Sequence, residues 1–177
     1  MKQYPIKLSQ ASCLLLAVSL TACNSGIHSS QGGLSASPLA ISSSAQVVKV
    51  AAAPVNILQS SPVDAVIALS VSPGFHINAN PATFSYLIAT EVTAGKFEGI
   101  SVGAPAYPAA VKKKFQFAEQ PLAVYEGEIP ITLHLRAEAN ATTGTKSLPV
   151  SVRIQACDEE QCFPPATINT TISVTVK

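Results

Sequence analysis

The stretch Val150-Ser151-Val152-Arg153-Ile154-Gln155-Ala156 sets an apolar side chain at every second position, with polar residues between. Successive side chains of an extended strand point to opposite faces, so this spacing supplies one face for a core and one for water. The same period of two recurs to either side. Ile129, Ile131, Leu133 and Leu135 alternate with Pro130, Thr132, His134 and Arg136. Further upstream Val63, Ala65, Ile67, Leu69 and Val71 alternate with Asp64, Ala68 and Ser70, Val66 being the one large apolar exception. Downstream, Ile168, Ile172, Val174 and Val176 repeat the pattern. Pro73-Gly74, Gly95, Gly99, Gly103-Ala104-Pro105, Gly127 and Gly144 punctuate the chain into short strands, and no segment carries a helical stripe. An all-β chain follows, with an immunoglobulin-like antiparallel β-sandwich as the expected fold and a small β-barrel as the alternative.

The N-terminus has a different character. A short basic segment, Met1 to Lys7, precedes the apolar run Ala11 to Leu20 and then Leu20-Thr21-Ala22-Cys23. A basic start, a short apolar core and small residues before a cut describe a secretory signal, too short to span a membrane. The final four residues are similar to a bacterial lipobox. Residues 1–22 are therefore expected to be a lipoprotein signal peptide, with Cys23 the lipidated first residue of the mature chain. An ordinary cleaved signal with Cys23 as a bystander is the alternative. Asn24 after the cysteine favours the outer membrane, facing the periplasm, over inner-membrane retention. Residues 23–45, rich in Ser, Gly, Ala and Gln without sustained period, read as a flexible tether. Residues 46–177 form one domain of a size that buries its own core. Removing Lys2 and Lys7 leaves nine basic residues against ten acidic ones, so no nucleic-acid partner is expected.

Cys13 leaves with the signal, and Cys157 and Cys162 are the only thiols in the body of the chain, in Gln155-Ala156-Cys157-Asp158-Glu159-Glu160-Gln161-Cys162-Phe163-Pro164-Pro165. They fall at the turn between two consecutive strands, on an exposed end of the sandwich. The two prolines cannot donate ladder hydrogen bonds and stiffen the exit. Three readings stay open on the residues alone. As a structural bridge over so short a loop the pair contributes roughly 2 kcal/mol. As a metal site it lacks ligands, because structural zinc needs four and no methionine remains for copper(I). His76 and His134 read more simply as exposed or hydrogen-bonded strand residues. As a thiol-disulfide exchanger it suffers from Asp158, Glu159 and Glu160, since like charge disfavours a thiolate. Lys112-Lys113-Lys114 reads as a solvated run.

Several ordered motifs narrow these alternatives. The cysteine pair followed by Phe163-Pro164-Pro165 resembles the active-site hairpin of the N-terminal periplasmic domain of the thiol:disulfide interchange protein DsbD family. Ser72-Pro73-Gly74-Phe75-His76-Ile77-Asn78-Ala79-Asn80-Pro81 is similar to the Pro-Gly-aromatic-His segment of these domains. Tyr107-Pro108, Lys113-Lys114-Phe115 and Val124-Tyr125-Glu126-Gly127 follow in the expected order. The resemblance covers roughly Val47 to Lys177 and implies an immunoglobulin-like domain with protein-disulfide reductase-like activity. By that resemblance Cys162 forms the mixed disulfide with partners, Cys157 resolves it, and Phe163, Pro164 and Pro165 shape the site. The family's cap motif is absent, which leaves Phe115 or Phe117 as the expected cap. The implied partners are a thioredoxin-like or membrane-embedded reductant protein and an oxidised exported client, with the membrane reached through the lipid anchor. No cofactor or metal is expected. The rival reading is a surface lipoprotein that serves as a binding module and keeps a structural disulfide.

Overall fold

A computed structural model describes residues 41–177; the signal peptide, Cys23 and most of the expected tether lie outside the described residues. Twelve strands appear in chain order: β1 Val48–Ala52, β2 Val55–Ile57, β3 Pro62–Val71, β4 His76–Asn78, β5 Glu91–Ala94, β6 Ile100–Val102, β7 Val111–Lys113, β8 Leu122–Tyr125, β9 Glu128–Ala137, β10 Gly144–Ile154, β11 Ala156–Cys157 and β12 Ala166–Val176. No α-helix occurs among the described residues.

Two four-stranded sheets, β1-β3-β9-β6 and β2-β12-β10-β5, make the sandwich. The alternating stretches are its long central strands. In β3 the even faces sort as the period of two requires, with Ala65, Ile67, Leu69 and Val71 inward and Val66 outward. The pairs Ala65↔Leu133, Ile67↔Ile131 and Leu69↔Ile129 set the register with β9. In β10, Leu148, Val150, Val152 and Ile154 point inward and pair with the inward side of β12 through Leu148↔Ile172 and Val152↔Ile168. The inner faces of the two sheets join in one apolar cluster, the core of an immunoglobulin-like sandwich.

A third sheet, β11-β4-β8-β7, was not foreseen. It begins where β10 ends. Gln155 leaves the β10 ladder and binds a different set of partners: its side-chain Oε1 accepts from Ile88 N–H and Asn78 Nδ2, and its carbonyl accepts from Asn78 N–H. The chain thereby changes sheets within one residue, and Ala156 and Cys157 pair with Ile77 and His76 of β4. Beneath this sheet a second apolar cluster forms from Phe115, Leu122 and Val124, with Phe84, Leu87 and Ala118 against it. Gly127, at φ +66°, makes the turn from β8 into β9, where its carbonyl accepts from Val71 N–H.

Candidate functional site

Cys157 and Cys162 form a disulfide with Cα atoms 3.9 Å apart. Its local frame is a tight hairpin. Asp158 N–H donates to Gln161 O and Phe163 N–H donates to Ala156 O, so the cysteines are a non-hydrogen-bonded antiparallel pair, the position in which facing side chains lie closest. The tip is closed by Asp158, whose Oδ1 accepts from the backbone N–H of Glu160 and of Gln161 at 2.8 Å each. Both limbs are also tied to the start of the domain. The buried Ser44 hydroxyl accepts from Ala156 N–H and donates to Pro164 O, and Ser44 N–H donates to the same carbonyl. Ser44 lies in a short 3-10 turn, Ser44–Gln46, capped by Ser43, so ordered contacts begin ahead of the boundary placed at Gln46.

The hairpin is less exposed than an end of the sandwich was expected to be. Cys157 is 0% exposed, whereas Cys162 is half-buried and lines a groove of about 340 Å³ with Tyr86, Leu87, Phe117, Leu122 and Glu160. The two cysteines are thus unequal: Cys157 is enclosed and Cys162 borders the groove. Phe163 is buried and packs on Phe75, ring centroids 5.9 Å apart, which anchors the outgoing limb before Pro164 and Pro165. The two cap candidates separate. Phe115 is buried and stacks on His76 at 4.0 Å, one layer deeper than the groove. Phe117, 41% exposed, stacks on Phe115 at 5.4 Å and stands at the groove with Cys162. A turn carries both: Ala118 N–H donates to Phe115 O, and Lys114 Nζ donates to Ala118 O and Glu119 O.

His76 is neither exposed nor satisfied. It is 1% exposed, and its Nε2 is buried without a hydrogen-bond partner. Burial, with help from the Lys113 ammonium, pushes its pKa down to about 4. The lysine run also differs from the expectation, because Lys113 Nζ binds Glu126 at 2.8 Å and Glu159 at 3.0 Å, and these carboxylates raise its pKa. The acidic tip is accordingly divided in its work: Asp158 closes the loop and Glu159 docks on β7. His134 does lie on an exposed face, where it meets Asp64 at 2.6 Å. Among the described residues no group of three His, Cys, Asp or Glu side chains is placed to hold a metal, and no helix is long and apolar enough to cross a membrane.

The model of the family described as thiol:disulfide interchange protein DsbD, N-terminal, matches residues 44–173. The chain belongs to this DsbD N-terminal family. Three of the motifs that carried the resemblance gather around the hairpin: His76 pairs with Cys157, Lys113 binds Glu159, and the Tyr125-Glu126-Gly127 segment joins through Ile77 and Lys113; Tyr107 instead accepts from Val92 N–H through its hydroxyl. Among solved structures, similar folds include the N-terminal periplasmic domain of ScsB from Proteus mirabilis, 12% identical with TM-score 0.43 over 72% of this chain and 45% of that one. The match therefore spans less than half of that chain's length. Others are AggA, the major subunit of aggregative adherence fimbriae type I from Escherichia coli (7% identity, TM-score 0.31, 73% and 93% of the two chains), and a family 123 glycoside hydrolase from Clostridium perfringens (10%, 0.28, 70% and 23%). No curated protein matches the sequence.

Of the DsbD-family site residues read from the sequence, the structure brings together Cys157, Cys162, Phe163, Pro164 and Phe117, with Phe115 behind them. Ser44, His76, Tyr86 and Lys113 belong to the same neighbourhood and were missed as site residues. His76 and Lys113 left a signal, as parts of the Pro-Gly-aromatic-His and Lys113-Lys114-Phe115 segments; Ser44 and Tyr86 sit in stretches without pattern.

Proposed function

We propose that the domain relays reducing equivalents through the Cys157–Cys162 pair. A thioredoxin-like or membrane-embedded reductant protein reduces the disulfide, and the dithiol then reduces an oxidised exported protein. The thiolate of a partner meets Cys162 in the groove and forms the mixed disulfide there; Cys157 is the resolving sulfur. Phe117 caps the groove until a partner displaces it. The relay works at the cell envelope, held by a lipid on Cys23 in the outer membrane and facing the periplasm, with residues 1–22 as the signal peptide.

The observation that carries this reading is the unequal burial of the two cysteines on a hairpin held by more than their bond. Backbone hydrogen bonds, Asp158 and Ser44 hold both limbs, so a reduced pair stays in register for re-oxidation. The cross-link itself adds only about 2 kcal/mol by loop entropy. The Asp158 carboxylate, occupied by loop N–H groups, lessens the repulsion a partner thiolate meets.

Two measurements test it. The pair should equilibrate with thiol buffers in the range of exchanging disulfides; a potential below about −300 mV marks a structural bridge and a binding module instead. A Cys157→Ala chain should collect mixed disulfides through Cys162 in cells, whereas Cys162→Ala should collect none, because Cys157 is buried. Silence from both variants would sink the relay.

A further inference from the structure

The oxidised site holds a buried ring nitrogen with no hydrogen-bond partner. His76 and Cys157 are direct partners in the β4–β11 ladder, and directly opposed residues of an antiparallel pair project their side chains to the same face. His76 is 1% exposed, its Nε2 has no hydrogen-bond partner, and Phe115 lies over the ring at 4.0 Å, which fixes the imidazole and keeps water off. Cys157 is equally cut off from solvent, so a proton bound to its sulfur in the reduced state has no direct path to water. Opening the disulfide creates a single new donor in this layer, the Cys157 S–H.

We propose that His76 is the acid–base partner of Cys157, its Nε2 taking the thiol proton as the disulfide closes and returning it as the disulfide opens. The inference rests on the exchange reading and deepens it. In the reducing direction the Cys162 thiolate attacks a client disulfide and one client thiolate leaves. Cys157 then passes its proton to Nε2 while its sulfur attacks Cys162 Sγ; the Cys157–Cys162 bond forms and the second client thiolate departs. The client gains two electrons, the pair loses two, and the imidazolium gives its proton to the departing thiolate. A reductant dithiol runs the same steps backwards.

Charged groups from three elements face the ring. Lys113 from β7 disfavours the imidazolium, while Glu126 at the end of β8 and Asp158 and Glu159 at the hairpin tip favour it. Burial outweighs the carboxylates and leaves the ring neutral at neutral pH, with its pKa at about 4 in the oxidised protein. A neutral ring has a lone pair free for the proton, and a base this weak holds it only while the Cys157 sulfur is attacking, before passing it to the departing thiolate.

The test compares the full chain with His76→Phe, which keeps an aromatic ring against Phe115, and His76→Gln, which keeps an acceptor. Each is equilibrated with dithiothreitol buffers. His76→Phe should favour the oxidised pair at least tenfold more, about 30 mV for this two-electron couple, and should lose the pH dependence of the closure rate; His76→Gln should recover part of both. In the unmutated chain the ¹⁵N resonance of His76 Nε2 should move on reduction, a readout that survives if a variant fails to fold. An Nε2 resonance indifferent to redox state, with the pair still cycling, overturns the acid–base role and leaves the relay standing. A pair that does not equilibrate with dithiothreitol at all overturns the relay itself.

Discussion

Ser44 shows how much one hydroxyl can carry. It bridges the incoming limb of the hairpin at Ala156 and the outgoing limb at Pro164, across a sequence separation of 120 residues. Ala156 is fully buried, so removing the hydroxyl strands its N–H away from water, at a cost of about 1–3 kcal/mol. Ser44→Ala should lower urea-unfolding stability by that amount, and amide exchange should quicken at Phe163 and Gln161. A change within about 0.5 kcal/mol, the range of an ordinary surface substitution, would show that the hairpin holds without it. Asp158 plays the matching part at the tip. Its placement after the first cysteine is legible as turn chemistry, since an aspartate commonly accepts from N–H groups two and three residues on. The partnership of Ser44 is not legible, because nothing near it in the chain announces a distant hairpin.

At the scale of elements, the third sheet is what turns a cysteine pair at the end of a sandwich into a site with an inside and an outside. Its strands are short: β4, β7 and β8 span three or four residues, too few to show alternation, and β4 is buried throughout. The long strands β3, β9, β10 and β12 were readable because each repeats its parity over ten or eleven residues. Lys113 ties β7 to the hairpin through Glu159 and to β8 through Glu126, and its ammonium also stands 5.4 Å from the centroid of Phe115. Exposed ion pairs of this kind contribute roughly 0–1 kcal/mol to stability, so the clasp matters more for the position of the hairpin than for folding. Lys113→Met should leave the thermal midpoint within a few degrees while raising the rate of disulfide reduction several-fold. Unmutated protein should move in the same direction as salt screens the pair. An unchanged rate at low and high salt would rule out the clasp.

For the whole molecule, the buried His76 makes stability depend on pH. Its pKa in the folded chain is about 4, against 6.5 for the free side chain. Above the unfolded value both states are neutral and the histidine is silent. As pH falls through that value the unfolded chain takes up a proton that the folded chain refuses, so stability declines between about pH 6.5 and pH 4 and levels off below. The full loss is roughly 3 kcal/mol at 1.36 kcal/mol per unit. Urea unfolding across that window should show the slope, and His76→Phe should flatten it; an equal slope in both chains would assign the dependence to other groups.

The backbone geometry of a strand is local, and for that reason the amino-acid sequence alone determined the long strands, their inward faces, the sandwich class and the position of the cysteine pair between β10 and β12. Each follows from neighbours two residues apart, as in Val150, Val152 and Ile154. Which cysteine borders the groove, where His76 lies, and how the acidic tip is used depend on residues brought together from remote parts of the chain. Gln155 shows the boundary between the two. Its place on the polar parity of β10 is plain in the sequence, but its exchange of one ladder for another arises only when Asn78 and Ile88 arrive to bond it. Burial and partner choice are properties of that packed arrangement, and so the tertiary structure decided the asymmetry of the disulfide on which its proposed chemistry depends.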